Sequence, residues 1–236
     1  RSQGISWLGG YKMKQFIVIG GGRFGEATAK TLTESGQEVM VVDMDEDVIQ
    51  QISDEVENTA ILNVTDAQAM KSIGLNNFDV AIVAIGGDLR ASIMATLIAK
   101  EEGVPLVISR AKDSLQADVL KRIGADRVVF PESDMGIKIA KSLTFENVVD
   151  FMQLDDTHSV FEVTVPKSWV GSNLIDLMVR DKYNINVVGI KRGDTFQVPP
   201  SPSQNFEDGD IIVIAGQTKV IEEIALLISG DSYIKR

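Results

Sequence analysis

Residues 15–25, QFIVIGGGRFG, decide the fold. A short run of β-branched and aromatic side chains passes into Gly20-x-Gly22-x-x-Gly25, after which Phe24, Ala27 and Leu32 recur at helical spacing. A strand that turns through three glycines into a helix opens a dinucleotide-binding unit. Gly20 permits the tight turn, Gly22 lets backbone amides approach a pyrophosphate, and Gly25 allows the helix to pack closely on the sheet. The helix N-terminus then faces the phosphates. Asp43 closes the next apolar run 18 positions after Gly25, near the spacing expected of an acid that binds a ribose diol. A carboxylate there also repels a 2′-phosphate and so disfavours NADP.

Outward from this stretch, short apolar runs alternate with segments of helical period, the pattern of a parallel sheet covered on both faces. Strands are expected at 15–19, 38–43, 58–62, 79–84, 105–109 and 127–130, with Gly36, Gly74, Gly103 and Gly124 placed where helices stop. Six strands and five crossovers make a complete doubly wound unit. Segment 133–145 (SDMGIKIAKSLTF) is apolar on more than one helical face. Such a helix is covered on several sides, either wedged between two domains or crossing to a partner subunit. Residues 91–99 (ASIMATLIA) give the same hint of an interface.

Beyond residue 156 the grammar changes. Strands are expected at 159–165, 185–191, 195–198 and 210–215, helices at 173–182 and 218–228, and a loop at 199–202 (PPSP), which cannot join a central ladder. The fold class is therefore α/β: a Rossmann-like doubly wound parallel sheet at 13–145, a linker at 146–157, and a second, small α+β domain at 158–236. Residues 1–12 (RSQGISWLGGYK) lack the apolar run of a signal peptide. They read as an added or disordered stretch ahead of a start at Met13.

Charge and composition narrow the chemistry. A formal net charge of −11, with the acidic excess in both halves, speaks against nucleic-acid binding and against a polybasic membrane patch. No apolar stretch approaches the roughly 18–20 residues that span a bilayer, so a soluble, cytoplasmic protein is expected. The chain has no Cys, and His158 is its only His. Cysteine nucleophiles, catalytic triads and two-His metal sites are thereby excluded within one chain. His158 lies beside Asp155 and Asp156 and reads as a solvated linker residue.

The nucleotide pocket is completed by loops at the C-terminal ends of strands: Asn63, Val64, Thr65 and Asp66 after the third, and Ala84, Ile85 and Gly86 after the fourth. Phe24, Met44 and Arg110 are counted with them. Arg23, inside the phosphate loop, offers a guanidinium to a further phosphate or to a ligand across a dimer.

From Met13 onward the chain resembles the cytosolic regulatory subunits of bacterial Ktr/Trk potassium uptake systems, in which a regulator-of-potassium-conductance (RCK) domain precedes a small C-terminal domain. The resemblance is carried by 19–25 (IGGGRFG), 41–47 (VVDMDED), 74–79 (GLNNFD), 83–86 (VAIG), 123–127 (IGADR), Pro131-Glu132 and 185–193 (INVVGIKRG). It implies a Rossmann-like domain that binds ATP or ADP, pairs into a homodimer through the 133–145 helix, and assembles as a homo-octameric ring beneath a membrane potassium channel subunit. By the motif, Arg23 faces terminal phosphates, including those of a neighbouring subunit, and Asp43 faces the ribose. Glu132 helps hold a cation between two nucleotides, where a hard ion with oxygen ligands neutralises facing polyphosphates. Read from the residues alone, Glu132 is a helix-start acid after Pro131. The family commonly has Gly-Asp where this chain has Leu62-Asn63. Asn63 still donates and accepts at an adenine edge but lacks the charge.

The resemblance also implies a second ligand, cyclic di-AMP, held between paired C-terminal domains. The matching positions are Leu174, Ile175, Val179, Arg180, Asn186, Val187 and Pro202, with Arg180 available for a phosphate. Their aliphatic members look like ordinary core. Two other readings stay open: an NAD-dependent oxidoreductase, supported by the glycine fingerprint and Asp43, and a ligand-indifferent assembly subunit.

Overall fold

The computed structural model describes residues 13–144 and 148–230, leaving aside the side chains of 141–142 and 226–230. The expected N-terminal addition and Phe145 lie outside the described residues. The chain divides into two compact units, the second beginning at Asp134.

The first unit is built on six parallel strands: β1 (Gln15–Ile19), β2 (Glu38–Asp43), β3 (Asn58–Ile61), β4 (Val80–Val83), β5 (Leu106–Arg110) and β6 (Arg127–Val129). Their order is β3-β2-β1-β4-β5-β6. The direction of winding reverses between β1 and β4, which opens a crevice at their C-terminal ends. Successive residues of β1 face opposite sides. Ile17 and Ile19 pack with Ala95, Ile98 and Ala99 of α4 (Leu89–Glu101), while Val18 packs with Ala29 of α1 (Arg23–Glu34) and with Ile49 and Ile52 of α2 (Glu46–Ile52). A sheet buried on both faces requires this uninterrupted apolar sequence. Helix α4 also turns Ile93 toward α5 (Ser114–Arg122). Much of its apolar breadth is thus met within the chain, while Leu89 remains exposed at its start.

Asp45, Asp66, Asp88 and Asp113 each accept backbone N–H bonds at the first turns of α2, α3 (Ala67–Ser72), α4 and α5. Each satisfies donors that the helix itself cannot. Helix α1 is different, because Gly22 stands at its N-cap and supplies no side chain. Among the described glycines at helix ends, Gly124 has φ +109, the left-handed backbone that lets the chain leave α5 for β6.

Helix α6 (Pro131–Thr144) starts two residues earlier than expected, consistent with the preference for Pro at a first helical position. Met135, Ile137, Ile139 and Leu143 are exposed on it.

The second unit carries five antiparallel strands, β7 (Val148–Gln153), β8 (His158–Thr164), β9 (Asn186–Arg192), β10 (Thr195–Gln197) and β11 (Ile211–Gln217), in the order β10-β9-β11-β8-β7. Strand β7 corrects the linker expected at 146–157. A register shift between Val148 and Asp150 breaks the alternation that sequence patterning relies on. Phe151 nevertheless stacks on Phe161 with ring centroids 5.5 Å apart. The helix expected at 173–182 is two short ones, α7 (Leu174–Leu177) and α8 (Val179–Tyr183), separated by Met178 at φ +46. Helix α9 (Thr218–Gly230) brings Ile221, Ile224 and Ala225 onto a core of Phe161, Ile190, Ile212, Ile214, Trp169 and Phe206.

Candidate functional site

A cavity of about 290 Å³ lies at the β1–β4 crevice. The carbonyl of Ile19 accepts the Ala84 N–H at 2.8 Å, and the carbonyl of Val42 accepts the Gly20 N–H at 2.8 Å. These bonds fix the turn between strands, and Gly20 takes it at φ +103. A Cβ at Gly25 would strike the Gly20 carbonyl oxygen, so α1 meets the turn at a distance only glycine allows. Gly21 is also close-packed, though against side chains: its added Cβ would lie 2.6 Å from Val48 and 2.7 Å from Ile52. At Gly22 nothing would be met. The start of α1 is therefore open to solvent, with its first N–H groups lacking a side-chain cap and carrying the positive end of the helix dipole.

Asp43 works on both sides of this turn. Its carboxylate accepts the Gly21 N–H at 2.6 Å and the Asp45 N–H at 3.0 Å. It orients the glycine loop while keeping further lone pairs for a ligand hydroxyl. The cavity brings together Gly20, Gly22, Asp43, Met44, Val64, Ala84, Ile85, Gly86 and Arg110, and also Gly87, Asp88 and Ala91, which sequence reasoning missed. The missed three belong to the β4–α4 turn, whose Asp88 before an apolar run is a helix-start signal that could have placed them.

Six expected residues stand outside the lining. Thr65 bonds the Asn63 side chain and Asp66 caps α3. Gly25 acts beneath it, as described. Phe24 packs into the α1–α2 side of the core. Arg23 is exposed at the first position of α1. Asn63 is exposed, and its side-chain carbonyl accepts from the N–H and hydroxyl of Thr65 at 3.0 and 2.8 Å, so it shapes the loop that presents Val64. Arg110 runs from the end of β5 across Gly86 to an ion pair with Glu132 in the first turn of α6. Among the described residues no three His, Cys, Asp or Glu side chains gather as metal ligands. Glu132 by itself does not make a metal centre.

In the second unit a larger cavity, about 670 Å³, is lined by all seven residues expected there: Leu174, Ile175, Val179, Arg180, Asn186, Val187 and Pro202. Met178, Asp181 and Ile185 complete it. The break at Met178 lets α7 and α8 present separate walls. The Arg180 Nε donates to the Asn186 side-chain oxygen at 2.9 Å, leaving the rest of the guanidinium for an anion. Away from both cavities, the Asp155 carboxylate accepts the Thr157 and His158 backbone N–H groups at 2.6 and 2.7 Å and contacts His158 Nδ1 at 3.0 Å. The Thr157 bonds come first in holding that carboxyl well below the ordinary range. His158 belongs to a tight turn into β8.

A parallel doubly wound sheet with an uncapped glycine turn, joined to an antiparallel α+β unit, defines the class: a Rossmann-type nucleotide-fold protein with a small appended domain. Residues 16–131 match the TrkA-N domain family and 160–229 the TrkA-C domain family. Ktr system potassium uptake protein C of Bacillus subtilis (strain 168) is 41% identical over 203 residues, covering 86% of this chain and 92% of that protein. Ktr system potassium uptake protein A of the same organism is 38% identical over 215 residues, covering 91% and 97%. The chain belongs to this Ktr/Trk family of potassium uptake proteins. A solved structure described as the GsuK channel bound to NAD aligns with a TM-score of 0.64 at 14% identity, covering 94% of this chain and 40% of that one. At that identity the likeness is one of fold. No described helix is long and apolar enough to cross a membrane.

Proposed function

We propose that this chain is a nucleotide-responsive regulatory subunit of a potassium uptake system and not an enzyme. ATP and ADP bind at the glycine turn, and copies of the chain form a ring against the cytoplasmic face of a membrane potassium channel subunit. Exchange of one nucleotide for the other shifts the ring between shapes. The observation that carries this reading is the uncapped start of α1 opening into the β1–β4 cavity, in a chain that belongs to a potassium uptake family.

The residues fit the ligand. Asp43 meets the ribose, Met44 and Val64 lie beside it for the base, and the Gly20–Gly22 turn takes the phosphates. Arg23, exposed and directed by no partner in the described chain, suits the terminal phosphate of a neighbouring copy's nucleotide. A cation at Glu132 would draw its other oxygen ligands from phosphates and a second copy, since the described residues hold no metal-ligating cluster. The exposed apolar residues of α6 are what a second copy would cover. A ligand shifts a conformational equilibrium only by its differential affinity for the two states. The γ-phosphate that ATP has and ADP lacks, with its cation, supplies such a difference. Cyclic di-AMP is the second ligand, in the cavity of the second unit with Arg180 toward a phosphate.

The glycine fingerprint and Asp43 also favour NAD(H), as a redox cofactor of an oxidoreductase. Thermal unfolding of the whole chain with ATP, ADP, NADH and cyclic di-AMP, with and without Mg²⁺ or Ca²⁺, separates the readings. A ligand specific for the folded state stabilises by about 2.7 kcal/mol at a hundredfold excess over Kd. Shifts with ATP and ADP that differ and grow with divalent cation support the proposal. A shift with NADH alone, accompanied by hydride transfer, overturns it.

A further inference from the structure

Arg110 is the one cation lining the first cavity among its described residues, against the carboxylates of Asp43 and Asp88. Asp88 is occupied in capping α4, accepting the Ala91 N–H at 3.0 Å. Arg110 stands at the β4–β5 end, opposite Asp43, so a nucleotide with its ribose on Asp43 and its phosphates along Gly20–Gly22 points its far end at this guanidinium. The guanidinium lies close against Gly86, where an added Cβ would collide with it. It thereby covers the strip that the second riboside of a dinucleotide would cross.

Two features mark the arginine as awaiting an acceptor. Its side chain is only 18% exposed, and its Nε is buried with no hydrogen-bond partner. Its partner Glu132 is 64% exposed on its side chain, so that carboxylate can turn to water while the arginine stays. A phosphate presents several anionic oxygens to the same planar fork. We infer that Arg110 exchanges Glu132 for the terminal phosphate of the bound nucleotide and so selects phosphate-terminated mononucleotides over NAD(H). This deepens the proposed nucleotide reading and rests on it. The Gly-x-Gly-x-x-Gly turn and Asp43 do not themselves make that choice, because they meet only the adenosine and pyrophosphate common to both ligands. The exchange also releases the Glu132 carboxylate when nucleotide arrives.

The test is calorimetric titration of the whole chain with ADP, ATP and NADH in EDTA, for wild type, Arg110→Gln, Glu132→Gln and Gly86→Ala. Arg110→Gln should weaken ADP and ATP by about tenfold or more and leave NADH unchanged or tighter. Glu132→Gln, which removes the competing carboxylate, should tighten ADP in the absence of divalent cation. Gly86→Ala, which leaves Arg110 in place chemically but displaces it, should reproduce the Arg110→Gln pattern in a protein whose unliganded melting midpoint shows that it folds. An equal loss for NADH and ADP in Arg110→Gln, or unaltered ADP binding, overturns the inference while leaving nucleotide binding intact. So does an unchanged or weakened ADP affinity in Glu132→Gln. Wild-type protein that binds none of the three overturns both the inference and the reading beneath it.

Discussion

The two cavities are made of different materials. The first is built on backbone: a turn fixed by strand hydrogen bonds, a Gly25 whose added Cβ would strike the Gly20 carbonyl, and helix N–H groups left open. The second is made of side chains, mostly aliphatic, on two short helices and a strand. A backbone site must be written in glycine, and glycine at fixed spacing is rare enough to read. A side-chain site of leucine, isoleucine and valine is written in the same letters as a core. The first site tolerates almost no change at Gly20 and Gly25, whereas the second should lose affinity by degrees.

The largest expected effect lies in the backbone site. Gly25→Ala forces a Cβ against the Gly20 carbonyl and should cost about 3 kcal/mol of stability in the first unit by overpacking. Denaturant unfolding would read this, and the ATP-dependent thermal shift should vanish with it. Next comes the second unit's polar pin. Asp210 is nearly inaccessible, and its carboxylate accepts from Arg192 at 2.7 Å through both oxygens and from the Glu207 N–H at 2.8 Å. Asp210→Ala should cost about 2 kcal/mol by stranding those donors, and retention of full stability would show the pin to be dispensable.

The same residue sets a pH dependence. Arg192 holds the Asp210 carboxyl below its ordinary value, so the unfolded chain takes up the proton more readily than the folded one. The stability this contributes is complete above the ordinary carboxylate pKa of about 4 and is lost as pH falls through the folded value. Asp126 adds the same sign in the first unit, held low by the Val107 N–H and then by Lys100. Melting curves below about pH 4 should therefore fall more steeply for wild type than for Asp210→Asn.

Smaller effects sharpen the contrast between the sites. Arg180→Ala should weaken cyclic di-AMP by about tenfold, the worth of one charge-assisted contact, without moving ADP binding. Asn63→Ala should change ATP affinity by less than about threefold, since that side chain is spent on Thr65 and not on the cavity. A larger loss would return Asn63 to the adenine.

Much of the first unit was legible because a buried parallel sheet demands continuous apolar runs separated by helix stops. The six strands and the crevice residues from Gly20 to Arg110 follow from that demand. Spacing gives the positions of Arg23 and Phe24 on α1 and not the direction of their side chains, one exposed and the other packed on the core. The Arg110–Glu132 pair was invisible, since it joins β5 to α6 across 22 positions with no local pattern. In the second unit, β7 was hidden by its register shift and the α7–α8 break by an unexceptional methionine in left-handed conformation. The seven expected cavity residues are legible only through family resemblance, because periodicity alone assigns aliphatic residues to the core.

The most direct test of the central claim is small-angle X-ray scattering of the assembled protein in saturating ATP with Mg²⁺ and in saturating ADP. The account predicts two distinct scattering profiles at the same oligomeric mass, interconverted by exchanging the nucleotide and merged by Arg23→Ala. Superimposable profiles in the two nucleotides, with both shown to be bound, would contradict it.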